Sequence, residues 1–180
     1  MARINPVTNP SDRSRKLLDG VEAKLGKIPN MMSTMAHSAA TLDGFLKLSE
    51  ALSKGELSGK AREQIALAVG QANSCDYCLS AHSAIGKMVG LSAEEIRDAR
   101  LGSSEDAKVN GILKIATRLV ETRGNLSDAE IADARSAGVT DAELSEIVAN
   151  TAFNLFTNYF NHVAASDIDF PVVERLSANA

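Results

Sequence analysis

Apolar positions along this chain recur three or four residues apart, and nowhere do they alternate with the period of two that a half-buried strand requires. Leu42, Phe45, Leu46 and Leu52 give one segment a single apolar face. Phe153, Phe156, Phe160 and Val163, spaced 3, 4 and 3 apart, form an apolar stripe on a later one. The run Ile65-Ala66-Leu67-Ala68-Val69 is apolar on every side and predicts a helix buried all round.

The punctuation agrees with helices. The four prolines stand at 6, 10, 29 and 171, outside every helical pattern. Ser11 caps a first helix running to about Leu25 and stopped by Gly26. Pro29 opens the next stretch, and Gly55 and Gly59 mark a break. A helix carrying Glu63 then starts at Ser58 or Gly59, and another runs from near Asp76 to Gly90. Ser92-x-x-Glu95, Ser127-x-x-Glu130 and Thr140-x-x-Glu143 are capping boxes that start three later helices, with Gly124 and Gly138 as stops. Ser166 to Pro171 reads as extended. The fold class is all-α, in a compact multi-helix domain spanning 1–180, with an N-terminal helix in 1–28, a core segment at 58–90 and a tail at 166–180. Ser92 to Arg100 resembles Ser127 to Arg135 at an offset of 35 residues. Two copies do not make a solenoid, and shared use of one cap and Ala-rich helix formers explains the likeness.

Composition narrows the function classes. Apolar residues make up 44% of 180 and charged residues 23%, as in ordinary globular domains. Aromatics are only 4% and Trp is absent, so small aliphatic side chains fill the core. The net charge of −4 argues against nucleic-acid binding. Residues 1 to 10 lack the apolar h-region of a signal peptide, and no stretch reaches the length of a membrane span. The expected location is cytoplasmic, with no membrane partner.

Chemistry concentrates in one place. The chain has two cysteines, Cys75 and Cys78, followed by His82, with Glu63 upstream. So short a disulfide loop removes little denatured-state entropy, which makes the pair a poor structural staple. Thiol redox chemistry and metal binding are the two open readings. Asp76 or Ser74 as N-cap would put Cys75 at the helix start and Cys78 in the first turn, where the helix dipole favours a thiolate. Cys78 and His82 are i and i+4 and share a face. An imidazole there can take the thiol proton, and the second cysteine can capture a sulfenic acid as a disulfide. Glu63, on an otherwise apolar helix, needs a partner, for which His82 is available. Four zinc ligands could in principle come from Glu63, Cys75, Cys78 and His82, but structural zinc sites commonly draw on two separated knuckles.

The set Glu63, Cys75-x-x-Cys78-x-x-x-His82 resembles the alkylhydroperoxidase AhpD core of the carboxymuconolactone decarboxylase-like family, over an all-helical context from about Pro29 to Pro171. The resemblance implies a small, usually homo-oligomeric helical protein that reduces hydrogen peroxide or organic hydroperoxides. It implies Cys78 as the attacking thiol, Cys75 as the resolving one, and His82 with Glu63 as a proton relay. Where the best-characterised peroxidases of the family carry a His before the second cysteine, this chain has Tyr77, a poor base at neutral pH. No flavin, haem or nicotinamide signature is present, so the expected cofactor set is empty. Electrons are then expected from an external dithiol, which the resemblance makes a lipoyl-bearing or thioredoxin-like protein. A redox sensor or disulfide-exchange protein without turnover, and a carboxymuconolactone decarboxylase-like enzyme, are the alternatives.

Asn150, Asn154 and Asn158 form a polar stripe beside the Phe stripe, resembling the Asn/Phe-rich C-terminal helix of the family's peroxidase-related branch. Tyr77, Asn154, Asn158 and His162 are candidate pocket residues. His162, like His37 among Met31, Met32 and Met35, reads more readily as an ordinary histidine, and those methionines as flexible core packing.

Overall fold

The computed structural model describes residues 2–176, and within them the chain forms nine helices and no strand. Met1 and the last four residues of the expected 166–180 tail lie outside the described residues. The helices are α1 (Asp12–Leu25), α2 (Asn30–Met35), α3 (Ala39–Leu52), α4 (Gly59–Ala72), α5 (Asp76–Met88), α6 (Ala93–Arg100), α7 (Ala107–Thr122), α8 (Asp128–Ser136) and α9 (Asp141–Ala164). Among the described residues no helix is long and apolar enough to cross a membrane.

The local signals act where the sequence places them. Ser11 Oγ accepts the Ser14 N–H at the start of α1, and Gly26 ends it at φ +73°, a left-handed conformation that glycine adopts freely. Ser92, Ser127 and Thr140 each complete a reciprocal capping box with Glu95, Glu130 and Glu143. Helix α7 carries no such box. It starts at Asp106, whose carboxylate accepts the Val109 N–H, and no Glu or Gln stands at the third position to answer it.

Helix α4 is the hub. It packs against α5, α6, α7 and α9, and Gln64 through Gly70 are all buried, as the unbroken apolar run predicts. Its Ile65 and Val69 meet Ile112, Ala116 and Ile147 in an apolar core shared with α7 and the first half of α9. A second core joins α1, α2 and α3 to the cysteines, Tyr77, Phe153 and Phe160. The predicted Phe stripe divides here. Phe153 stacks on Phe45 with ring centroids 5.1 Å apart, whereas Phe156 is 39% and Val163 62% exposed. The reason is that the Asn stripe, not the Phe stripe, takes the innermost face of α9, with Asn150, Asn154, Asn158 and Asn161 all buried.

Candidate active site

The turn between α4 and α5 builds the site. Ser74 has φ 56°, the left-handed conformation usually left to glycine after a helix, while its N–H reaches Gln71 O and the Cys75 N–H reaches Gly70 O at 2.9 Å. Cys75 therefore closes α4 and opens α5 at once. Neither Asp76 nor Ser74 caps α5, because Cys75 Sγ itself accepts the Cys78 N–H at 3.3 Å. The two cysteines are joined in a disulfide with their Cα atoms 5.3 Å apart, 1% and 3% exposed respectively.

Glu63 projects from α4 towards His82 on α5, and Oε2 lies 2.7 Å from Nδ1. With the carboxylate ionised, Nδ1–H donates and Nε2 is left as the basic nitrogen; among the described residues it has no hydrogen-bond partner. Both side chains line a cavity of about 390 Å³ that Cys78 also lines. Its walls are otherwise largely apolar, formed by Met31, Met32, Phe45, Leu52, Ile85 and Phe153, with Lys27 and Arg62 as cations. Among the described residues no group of three or more His, Cys, Asp and Glu is placed to hold a metal ion.

Tyr77 lines the same cavity but works as a joint. Its hydroxyl donates to Asp169 Oδ1 at 2.8 Å and accepts the Met31 N–H at 3.3 Å. Burial, reinforced by the Asp169 carboxylate, pushes the phenol well above its ordinary pKa of 10. The hydroxyl stays protonated at any working pH and takes no part as a base.

The segment after α9 runs over this side of α5. Asp169 also accepts the Asn30 N–H, and Phe170 packs edge-on against Tyr77, with Lys27 Nζ 4.1 Å from the Phe170 ring centroid. Further on, the Val173 N–H donates to Ser80 Oγ, and Arg175 forms a bidentate pair with Asp76.

The remaining pocket candidates separate. Asn154 lines the cavity and donates to Asn150 O. Asn158 is fully buried and accepts from Asn73 Nδ2 at 3.0 Å, fastening α9 to the end of α4 rather than lining the cavity. His162 is exposed and stands outside the cavity. Asn161 falls outside the 4-and-4 stripe, yet it lines the cavity and touches Cys78 Sγ at 3.5 Å. Its position three residues after Asn158 still puts it on the Asn face, so a search at both helical spacings, three and four, finds it.

Residues 39–121 match the model of the carboxymuconolactone decarboxylase family, covering α3 to most of α7 and the Glu63–Cys75–Cys78–His82 set. That segment is of the carboxymuconolactone decarboxylase family, and the fold is AhpD-like. A comparison with curated protein sequences finds no match. Among solved structures, an alkylhydroperoxidase AhpD core, an uncharacterised peroxidase-related protein from Ralstonia eutropha JMP134, aligns at 25% identity and TM-score 0.82 over 92% of this chain and 93% of its own. A peroxidase-related protein from Silicibacter sp. TM1040 aligns at 24% identity and TM-score 0.80, covering 92% of each chain. The debrominase Bmp8, crystallised with 2,3,4-tribromopyrrole, shares the fold at 19% identity and TM-score 0.78, over 93% of this chain and 91% of its own.

Proposed function

We propose that the protein is a thiol-dependent peroxidase that reduces hydroperoxides through the Cys75–Cys78 pair. The observation that carries this reading is that Cys78, bonded to Cys75, opens on the same apolar cavity as the Glu63–His82 pair. In the reduced protein His82 Nε2 takes the Cys78 thiol proton, with Glu63 holding the imidazole and the charge it acquires. The thiolate attacks the terminal oxygen of R–O–O–H, so that an S–O bond forms as the O–O bond breaks. The alkoxide leaves with the proton from His82 as an alcohol. Cys75 then attacks the Cys78 sulfenic acid, releasing water and closing the disulfide. An external dithiol, lipoyl-bearing or thioredoxin-like, returns the two electrons.

The apolar cavity suits an organic hydroperoxide better than hydrogen peroxide, which offers nothing for Phe45, Phe153 and Met32 to bind. The test is consumption of cumene hydroperoxide by the reduced protein, with thiols counted before and after. Loss of two thiols per chain, with turnover once dithiothreitol is supplied, supports the reading. Cys78→Ser is expected to abolish consumption while leaving the thermal melt in place. Full turnover by Cys78→Ser, or wild-type thiols that stay reduced, would refute it. Oxidation in a single round without turnover would instead favour a redox sensor.

A further inference from the structure

Asn161 lies on the last turns of α9, 4% exposed, and lines the cavity. Its Nδ2 donates towards Met31 Sδ at 3.2 Å and Cys78 Sγ at 3.5 Å. Its Oδ1 is buried and has no partner among the described residues. Turning the amide over would aim its oxygen at a thioether and a disulfide sulfur, neither of which carries a hydrogen, so the sulfurs fix the orientation. A buried amide oxygen beside a reactive sulfur is an unused acceptor in a largely apolar wall.

We infer that Asn161 holds the Cys78 sulfur with its N–H and receives the terminal O–H of the hydroperoxide on its carbonyl oxygen. This rests on the peroxidase reading and names a substrate contact within it. A hydroperoxide carries a single O–H, on the oxygen that the thiolate attacks. Accepting that hydrogen sets the reacting oxygen beside the sulfur with the O–O bond pointing away, while Nδ2–H stabilises the thiolate before attack. The same geometry selects for hydroperoxides over reagents that lack a donor. Asn161 thus differs in role from the Glu63–His82 pair, which carries the proton from the thiol to the departing alkoxide.

The experiment uses the full chain with Cys75→Ser, so that Cys78 is the single thiol, with and without Asn161→Leu. The isosteric Asn161→Asp serves as a second variant, and thermal melts establish that each is folded. Three readouts apply: the ultraviolet titration of the thiolate, the rate with cumene hydroperoxide, and the rate with methyl methanethiosulfonate, which has no hydrogen to donate. Both rates are taken at a pH where the thiol is fully ionised. Asn161→Leu is expected to move the thiolate titration upward by about one pH unit. It is also expected to slow the hydroperoxide reaction by about a hundredfold while leaving the thiosulfonate reaction nearly unchanged. Asn161→Asp, which keeps an acceptor and loses the donor, is expected to move the titration upward as well. Equal losses on both reagents, or an unmoved hydroperoxide rate in a folded variant, would overturn the inference and leave the peroxidase reading standing. If the wild-type thiol ignores hydroperoxide altogether, that reading falls and takes the substrate contact with it; the titration alone then decides the contact with sulfur.

Discussion

Two regions of this molecule are built from the same helices by opposite rules. Between α4, α7 and the first half of α9, Ile65, Val69, Ile112, Ala116 and Ile147 pack without a polar atom among their side chains. One turn along α9 the buried face becomes Asn150, Thr151, Asn154, Thr157, Asn158 and Asn161. Three atoms on that stretch, Thr151 Oγ1, Asn158 Nδ2 and Asn161 Oδ1, are buried without a partner among the described residues. The first region follows every local preference for a stable core. The second gives up hydrogen bonds, each worth about 1 kcal/mol net, and one of them, at Asn161, lies beside the Cys78 sulfur on the cavity wall. Local inconsistency of that kind marks where chemistry rather than stability shaped the choice of residues.

Helix α4 carries a core residue and a site residue two positions apart, Ile65 and Glu63, which allows a sharp test. Ile65→Ala is expected to cost about 2–5 kcal/mol of stability and to leave the rate per folded chain unchanged, as read by a denaturant melt beside a peroxide assay. Glu63→Gln is expected to do the reverse. It keeps an acceptor for His82 but loses the charge, slowing hydroperoxide reduction about a hundredfold with little change in the melt. If Ile65→Ala impaired the chemistry as strongly as Glu63→Gln, the division between the regions would not hold.

A smaller effect probes the turn that joins them. Ser74 occupies a left-handed conformation that glycine adopts without strain. Ser74→Gly is expected to stabilise the chain by about 0.5–1 kcal/mol, seen as a higher denaturant midpoint. The smallest effect belongs to the periphery. The backbone N–H of Ser127, with Arg118 and the Ser127 hydroxyl, lowers the Glu130 carboxyl from 4.5 to about 2. A carboxyl whose folded pKa is depressed contributes stability above the unfolded value and loses it as pH falls through the folded one. The contribution is therefore expected to fade between about pH 4.5 and 2, and Glu130→Gln to flatten the pH dependence of the melt in that window without touching turnover.

The difference between the regions also explains which features are legible in the sequence. Caps are local, so Ser11, Gly26 and the three boxes mark five helix ends by residue type and spacing alone. The continuous apolar run marks α4 as buried. The i, i+4 spacing of Cys78 and His82, together with the isolated carboxylate of Glu63, is enough to suggest the Glu63–His82 hydrogen bond. What stays hidden depends on distant contacts or on an unusual atom in a familiar role. Sulfur is a rare N-cap, so Ser74 and Asp76 look like better caps than Cys75 does. Asn161 is decided by Met31, 130 residues away in sequence. Tyr77 reads as a missing base until Asp169 shows it to be a hydrogen-bonded joint.

That joint has a consequence for the order in which the protein is made. Tyr77 lies between the two cysteines, and the residue that secures its hydroxyl is synthesised 92 positions later. Translation at about 5–20 residues per second puts on the order of 5–20 seconds between the appearance of the thiols and the arrival of Asp169. Through most of that interval α9 is absent or incomplete, and with it Phe153 and Asn161; the segment that runs across Asp76 and Ser80 comes later still. Once it has left the ribosome, the growing chain thus carries both thiols without the cover of α9, whereas in the finished molecule Cys75 is buried and Cys78 meets only what enters the cavity.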